Sequence, residues 1–172
     1  SWGWFGGAEE GDPVMTAHVA HGLKIASNTV NVPEGMICGA VRWLKNYQER
    51  QTALLEQGDK FRKLEQLPDG PEKKEALRKL GNYRLTASAT DTLVYSVLAE
   101  CGVKNLPMER YLFRDRLELP VISQIQLAEI LLDAHRMDDF NKIMPVISQF
   151  LQQDDSLQTA WLRLPNAGYW WR

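Results

Sequence analysis

Apolar positions along the chain recur every three or four residues, the period of a helix with one buried face. Asp12-Pro13 reads as an N-cap followed by a proline at the first helical position, where the missing N–H costs nothing. From there Met15, Val19, Leu23 and Ala26 share a face, and the helix is expected to fade near Ser27-Asn28. A second helix is expected from Pro33, burying Ile37, Ala40, Val41 and Leu44 and continuing through the polar stretch 45–57, which is expected to face water. The pairs of turn formers in Leu67-Pro68-Asp69-Gly70-Pro71 mark a loop, and Glu72 to Leu80 is rich enough in helix formers for a short charged helix. A third strong helix is expected over about Thr86–Glu100, with Ala89, Leu93, Val97 and Cys101 stepping by four and Gly102 placed to end it. A short helix near Met108–Asp115 follows. A fourth strong helix runs from about Pro120 to His135 on a stripe of Val121, Ile125, Ala128, Leu131 and Leu132, widened by Leu127 and Ile130. A fifth is expected over about Asp138–Gln152, using Phe140, Ile143, Met144, Ile147 and Leu151, with Pro145 kinking or splitting it.

Only Thr159–Arg163 alternates in the manner of a strand, so the fold class is all-α, built from antiparallel helix pairs joined by short loops. The 172 residues suit a single domain, and 44% hydrophobic residues suffice for a core and exclude a disordered chain. Twenty Lys and Arg against 22 Asp and Glu give a net charge of −2, with no dense basic cluster, which argues against nucleic acid as a partner. No apolar run reaches the ~18–20 residues needed to span a bilayer. The opening residues lack the basic and apolar regions of a signal peptide. Cys38 and Cys101 are too few for a disulfide framework and too far apart in sequence for a metal motif. Trp2, Trp4, Trp170 and Trp171 lie in glycine-containing ends. They read as plugs for the end of a helical bundle, with carbohydrate stacking as the alternative.

The residues then carry a resemblance. Trp2-Gly3-Trp4-Phe5-Gly6-Gly7, Asp12-Pro13-Val14-Met15-Thr16-Ala17 and Gly22-Leu23 resemble the Gly/Trp-rich loop and following helix of the thioester domain of bacterial alpha-2-macroglobulins. Cys38-Gly39-Ala40-Val41-Arg42-Trp43-Leu44 is similar to the next helix. The segment Tyr111 to Leu119, then Gln126-Leu127-Ala128, is similar to later hairpins, and Gly168-Tyr169-Trp170-Trp171 to a loop leading into a further helix. The resemblance implies an α/α toroid of antiparallel helical hairpins, of which residues 1–172 would be one incomplete segment. The implied function is a broad-spectrum protease inhibitor: cleavage of a bait region exposes a buried Cys–Gln thioester, an activated acyl donor that then acylates the protease. The implied partners are proteases and the neighbouring macroglobulin and complement-like domains of the same chain. The implied location is the periplasm or cell envelope, as a lipoprotein in some members.

The thioester pattern Cys-x-Glu-Gln is absent. Leu54-Leu55-Glu56-Gln57 keeps only its last two letters, and Cys38, with no Glu-Gln after it, reads as a small buried apolar residue. The resemblance places the thioester before Ser1. No histidine occurs from Gln51 to Tyr83 to match the acyl-relaying histidine of complement-type members. The chain is therefore expected to be no enzyme, with no catalytic, cofactor-binding or metal-binding residues of its own. His18 and His21 stand three apart on the first helix but lack a third ligand. His135 with Arg136 suits a helix C-terminus. Asp138-Asp139 and Asp154-Asp155 invite comparison with the acidic motifs of terpene cyclases, yet each follows a helix boundary and reads as a cap or solvated turn. The charged stretch from Glu56 to Glu75 reads as a solvated face and loop. Alternative functions are a lobe of an α/α-toroid enzyme, of terpene cyclase or glycosidase type, and a helical-repeat scaffold for protein partners.

Overall fold

A computed structural model describes Trp2 and residues 11–163. Among them are seven helices and one two-stranded sheet, so the chain is all-α as its periodicity predicts. The bundle plugs expected at Trp4, Trp170 and Trp171 lie outside the described residues. No described helix is long and apolar enough to cross a membrane. The chain divides into two compact units, Ser1–Asp115 and Arg116–Arg172.

The first unit holds α1 (Pro13–Ala26), α2 (Glu34–Glu65), α3 (Pro71–Leu80), α4 (Ala89–Glu100) and α5 (Leu106–Arg114). Asp12 caps α1 as expected: its backbone is extended and its Oδ1 accepts from the Met15 N–H at 2.7 Å. The buried face of α1 is Thr16, Ala17 and Ala20, whereas Met15, Val19, Leu23 and Ala26 are only half-buried. Small side chains sit at the centre of the contact because α2 and α4 both pack against this helix. The core there is Ala17, Ala20, Ala40, Leu44, Val94, Val97 and Leu98, with Trp2, Trp43 and Tyr47 packed on its edge. Trp2 is tied to α1 twice, its N–H donating to Thr16 Oγ1 (2.9 Å) and its carbonyl accepting from the Thr16 hydroxyl (3.2 Å).

The expectation that residues 45–57 face water is corrected. The buried stripe of α2 continues through Gln48, Thr52 and Leu55 to Gly58, stepping by three or four. Two of those residues are polar, which hides the stripe from a hydrophobicity pattern. α4 starts at Ala89 rather than Thr86, because Ser88 and Asp91 close a reciprocal capping box. It ends as expected at Gly102, in the left-handed region at φ 77°, with the N–H groups of Gly102 and Val103 returning to the carbonyls of Ala99 and Leu98. α3 buries no residue, and its Lys73 ammonium donates to the carbonyls of Glu65 and Leu67 at the end of α2.

The second unit holds α6 (Val121–Asp133), α7 (Met137–Ser148) and the antiparallel strands β1 (Leu151–Asp154) and β2 (Thr159–Leu162), with Leu151 opposite Leu162. α6 buries Val121, Leu127, Ala128, Ile130 and Leu131, while Leu132 is exposed and Ile125 half-buried. α7 packs against α6 through Ile143 and Ile147 among its buried residues. Pro145 neither kinks α7 apart nor lets it reach Gln152: the helix closes three residues later, and Leu151 becomes an exposed strand residue. The loop between the strands is closed by Asp154, whose Oδ1 accepts from the N–H groups of Ser156 and Leu157 and the Ser156 hydroxyl.

Gly58 fixes how closely the chain folds back on α2. A Cβ there would lie 1.9 Å from the carbonyl oxygen of Arg84, whose own N–H donates to the Leu54 carbonyl at 3.0 Å. By contrast, a Cβ on Gly39 in the same helix meets nothing within 4 Å. Gly58→Ala is therefore expected to destabilise by about 1–3 kcal/mol through overpacking against backbone, whereas Gly39→Ala should stabilise by about 1 kcal/mol through helix propensity. Urea unfolding of the two variants gives the comparison, and a stabilised Gly58→Ala would contradict the close crossing.

Candidate functional site

The residues singled out by chemistry do not assemble into a reactive centre. His21 Nδ1 lies 2.7 Å from Glu100 Oε2, joining α1 to the end of α4, but both side chains are about 40% exposed, where such pairs contribute little. His18 is exposed on the same helix. Among the described residues no group of three His, Cys, Asp or Glu could hold a metal ion. The reading of Cys38 as a buried residue is corrected: Cys38 is exposed, because the buried stripe of α2 begins only at Ala40. Cys101 is half-buried at the C-cap of α4, and burial pushes its thiol pKa up. Leu55 is fully buried while Glu56 is exposed, so Leu54–Gln57 is one turn of a packed helix.

In the second unit His135 occupies the left-handed position after α6 at φ 56°. The N–H groups of His135 and Arg136 return to Leu132 and Leu131, so His135 acts as a backbone cap. Asp138 and Asp139 lie in the first turn of α7, and the N-cap is Arg136, not an aspartate. Asp139 is bonded by Arg136 and Lys142. Burial works against its carboxylate, but these two cations hold its pKa below the usual range. Asp154 serves the turn between the strands, as read from its position.

What sequence reasoning missed is a polar network on the segment 81–88, which crosses α2. Arg84 donates through Nη1 to Gln51 Oε1 (2.6 Å) and Asp91 Oδ1 (3.1 Å), and through Nη2 to Asp91 Oδ2 (2.7 Å). The Asp91 side chain is fully buried, and its Oδ2 also accepts from the Ser88 N–H and hydroxyl. Burial works against the Arg84 charge, yet the Asp91 carboxylate holds its pKa above the usual value. A second clamp begins at Asp115, whose Oδ2 accepts from the Ala87 N–H (2.8 Å) and from Arg114. Arg114 also reaches Asp59 on α2 (2.7 Å) and the Leu85 carbonyl (2.8 Å). Tyr111 donates to Asp59 Oδ2 at 2.9 Å and packs its ring under the Arg114 guanidinium. Burial and this hydrogen bond push the Tyr111 pKa up to about 12.

Two grooves flank α2 in this unit. One, of about 750 Å³, runs past the stacked Trp43 and Tyr47 rings, whose centroids are 5.9 Å apart, with Arg50, Gln51 and Gln57 alongside. The other, of about 510 Å³, lies between α2 and the connection from α4 to α5. Its wall is fixed by a chain of bonds: the Asn105 side-chain amide donates to Thr52 Oγ1 (3.3 Å), and the Thr52 hydroxyl donates to the Gln48 carbonyl (2.8 Å). Asn105 Oδ1 in turn accepts from the Met108 N–H as the N-cap of α5. Gln48, a residue 2% exposed, is among the lining residues, and its side-chain Nε2 is shut off from solvent with no hydrogen-bond partner among the described residues. No family model, curated protein or solved structure matches the chain.

Removing one partner of a buried ion pair leaves the other charge without compensation. Arg84→Met is therefore expected to destabilise by about 3–5 kcal/mol, while Arg78→Met, at an exposed pair with Glu75, should leave the denaturant midpoint unchanged. Because the folded-state pKa of Tyr111 is raised, its contribution to stability is complete below the unfolded value near 10. That contribution is lost as pH rises toward about 12. Thermal melts of wild type and Tyr111→Phe across that range should converge at the alkaline end. Parallel curves would deny the Tyr111–Asp59 link any role.

Proposed function

We propose that the chain is a segment of the α/α-toroid thioester domain of a bacterial alpha-2-macroglobulin-like protease inhibitor, and that it supplies scaffold rather than chemistry. The observation that carries the reading is the tie between Trp2 and Thr16, which joins the Trp-containing segment to the Asp-Pro…Thr-Ala helix. Those are the residues on which the resemblance rests, and the same helix buries Thr16 and Ala17 fully. Helix pairing also supports it. α1 packs on its hairpin partner α2 and on α4, which opens the next pair with α5, as neighbouring hairpins do in a toroid.

In this reading the inhibitor acts in the periplasm or at the cell envelope. A protease cuts a bait region elsewhere in the protein, and the resulting change of shape encloses it. Where the parent carries a thioester upstream of Ser1, a lysine amine of the protease attacks the acyl carbon, an amide forms, and the cysteine thiol leaves. The contribution of residues 11–115 is rigidity: the buried Arg84–Asp91 pair and the Asp59–Arg114–Asp115 clamp hold the helices in one arrangement while the domain moves.

The test uses the full-length parent protein incubated with trypsin. An enclosed protease is expected to lose activity on casein while keeping it on a small peptide amide that can diffuse to its active site. Methylamine added beforehand should label one glutamine and release one thiol if the thioester is intact. Equal loss of both activities, or none, overturns the trap reading.

A further inference from the structure

The start of α2 is weakly held. Gly35, Met36, Cys38 and Gly39 are exposed, Ile37 is half-buried, and the buried stripe begins only at Ala40. Pro33 gives the helix no side-chain cap, and the two glycines lower its helix propensity.

The two cysteines of the chain meet at this end of the core. Arg84 ties Gln51 of α2 to Asp91 in the first turn of α4, while Ala40 and Leu44 share the core with Val97 and Leu98. The two helices therefore run in opposite directions, and the start of α2 lies beside the end of α4. The His21–Glu100 contact places that end of α4 against α1, which leads through residues 27–33 into α2. On α2, Cys38 shares a face with Val41 and, two turns on, with Lys45. Val41 and Val103 both pack on the core, and Lys45 and Val103 line one groove, so this face of α2 is turned toward the C-cap where Cys101 sits. The thiols are within electrostatic reach of each other: burial raises the Cys101 pKa most, Lys24 lowers it, and Glu100 and Cys38 raise it further. A bridge requires Cα atoms within about 7 Å. The described residues of α2 before Ala40 include none that is buried, so these turns can adjust to that distance without displacing the core.

We propose that Cys38 and Cys101 are a redox pair, and that a disulfide between them clasps the first turns of α2 to the end of α4. The oxidant is a small disulfide such as oxidised glutathione. The exposed Cys38 thiol gives up its proton, and its sulfur attacks one glutathione sulfur; the glutathione S–S bond breaks and one glutathione thiolate leaves. The Cys101 thiol then gives up its proton and attacks the Cys38 sulfur, expelling the second glutathione. Two electrons and two protons pass from the protein thiols to the two glutathione thiols. Cys101 is half-buried and less readily ionised, so it acts second, when the reaction is intramolecular. Closing the loop from 38 to 101 restricts the unfolded chain and so favours the folded one. The clasp is independent of the inhibitor reading, since it rests on how α1, α2 and α4 pack.

The test incubates the 172-residue chain, at low concentration, with oxidised glutathione and then blocks remaining thiols with iodoacetamide. The expected product is a monomer two hydrogens lighter than the reduced chain, whose non-reducing tryptic map joins the Cys38 peptide to the Cys101 peptide. Its melting temperature should lie about 5–15 °C above that of the reduced chain, and amide hydrogen exchange at residues 36–39 should slow on oxidation. Cys101→Ser should stop at a glutathione adduct on Cys38, and Cys38→Ser should gain its adduct on Cys101 more slowly, because that thiol is half-buried. Neither variant should show the rise in melting temperature. Two free thiols, two glutathione adducts on one chain, a bridge between two chains, or an oxidised monomer melting no higher than the reduced one would each overturn the proposal.

Discussion

The Asp91 carboxylate is shut off from water, and the arrangement of the first unit follows from keeping it satisfied. An ionised carboxylate survives burial only when paired and hydrogen-bonded. Two oxygens here take both terminal nitrogens of Arg84 together with the N–H and hydroxyl of Ser88. To deliver the guanidinium, the backbone at Arg84 must lie directly on α2, which only a residue without a Cβ at position 58 allows. The same placement presents the Leu85 carbonyl to Arg62 and Arg114 and the Ala87 N–H to Asp115. One ion pair thereby sets where α2, α4 and α5 can sit.

This architecture explains why the chemistry-bearing residues remain dispersed. The acidic groups that a catalytic reading would recruit are already engaged as structure: Asp91 and Asp115 brace a connection, Asp12 and Asp91 cap helices, Asp139 neutralises two cations, and Asp154 closes a turn.

Local signals in the chain were legible and long-range polar ones were not. Asp12-Pro13 and Gly102 announce a helix start and stop because capping is decided within a few residues. The stripe through Gln48 and Thr52 was invisible because glutamine and threonine look like surface to any hydrophobic count, and the partner of the Thr52 side chain, Asn105, arrives from far along the chain. Arg84 and Asp91 carry no mark of their pairing in the sequence, since nothing local says that their side chains will be enclosed. β1 was hidden for a different reason: Leu151 falls in phase with Ile143, Met144 and Ile147, so the helical period runs on past the point where Pro145 and the hairpin end it. Cys38 misled because cysteine is usually buried, while the first turns of α2 lie beyond the core.

The lack of burial along α3 has an evolutionary consequence. It packs on α2 with side chains no more than half-buried and with the Lys73 ammonium on the end of that helix, and full burial resumes only after Tyr83, stacked on Phe61, and Arg84. Lengthening such an excursion raises its closure entropy only logarithmically, about 0.6 kcal/mol for each doubling. Insertions and deletions between positions 66 and 82 should therefore accumulate freely among related chains, while the residues on either side of that stretch stay nearly constant in number and spacing.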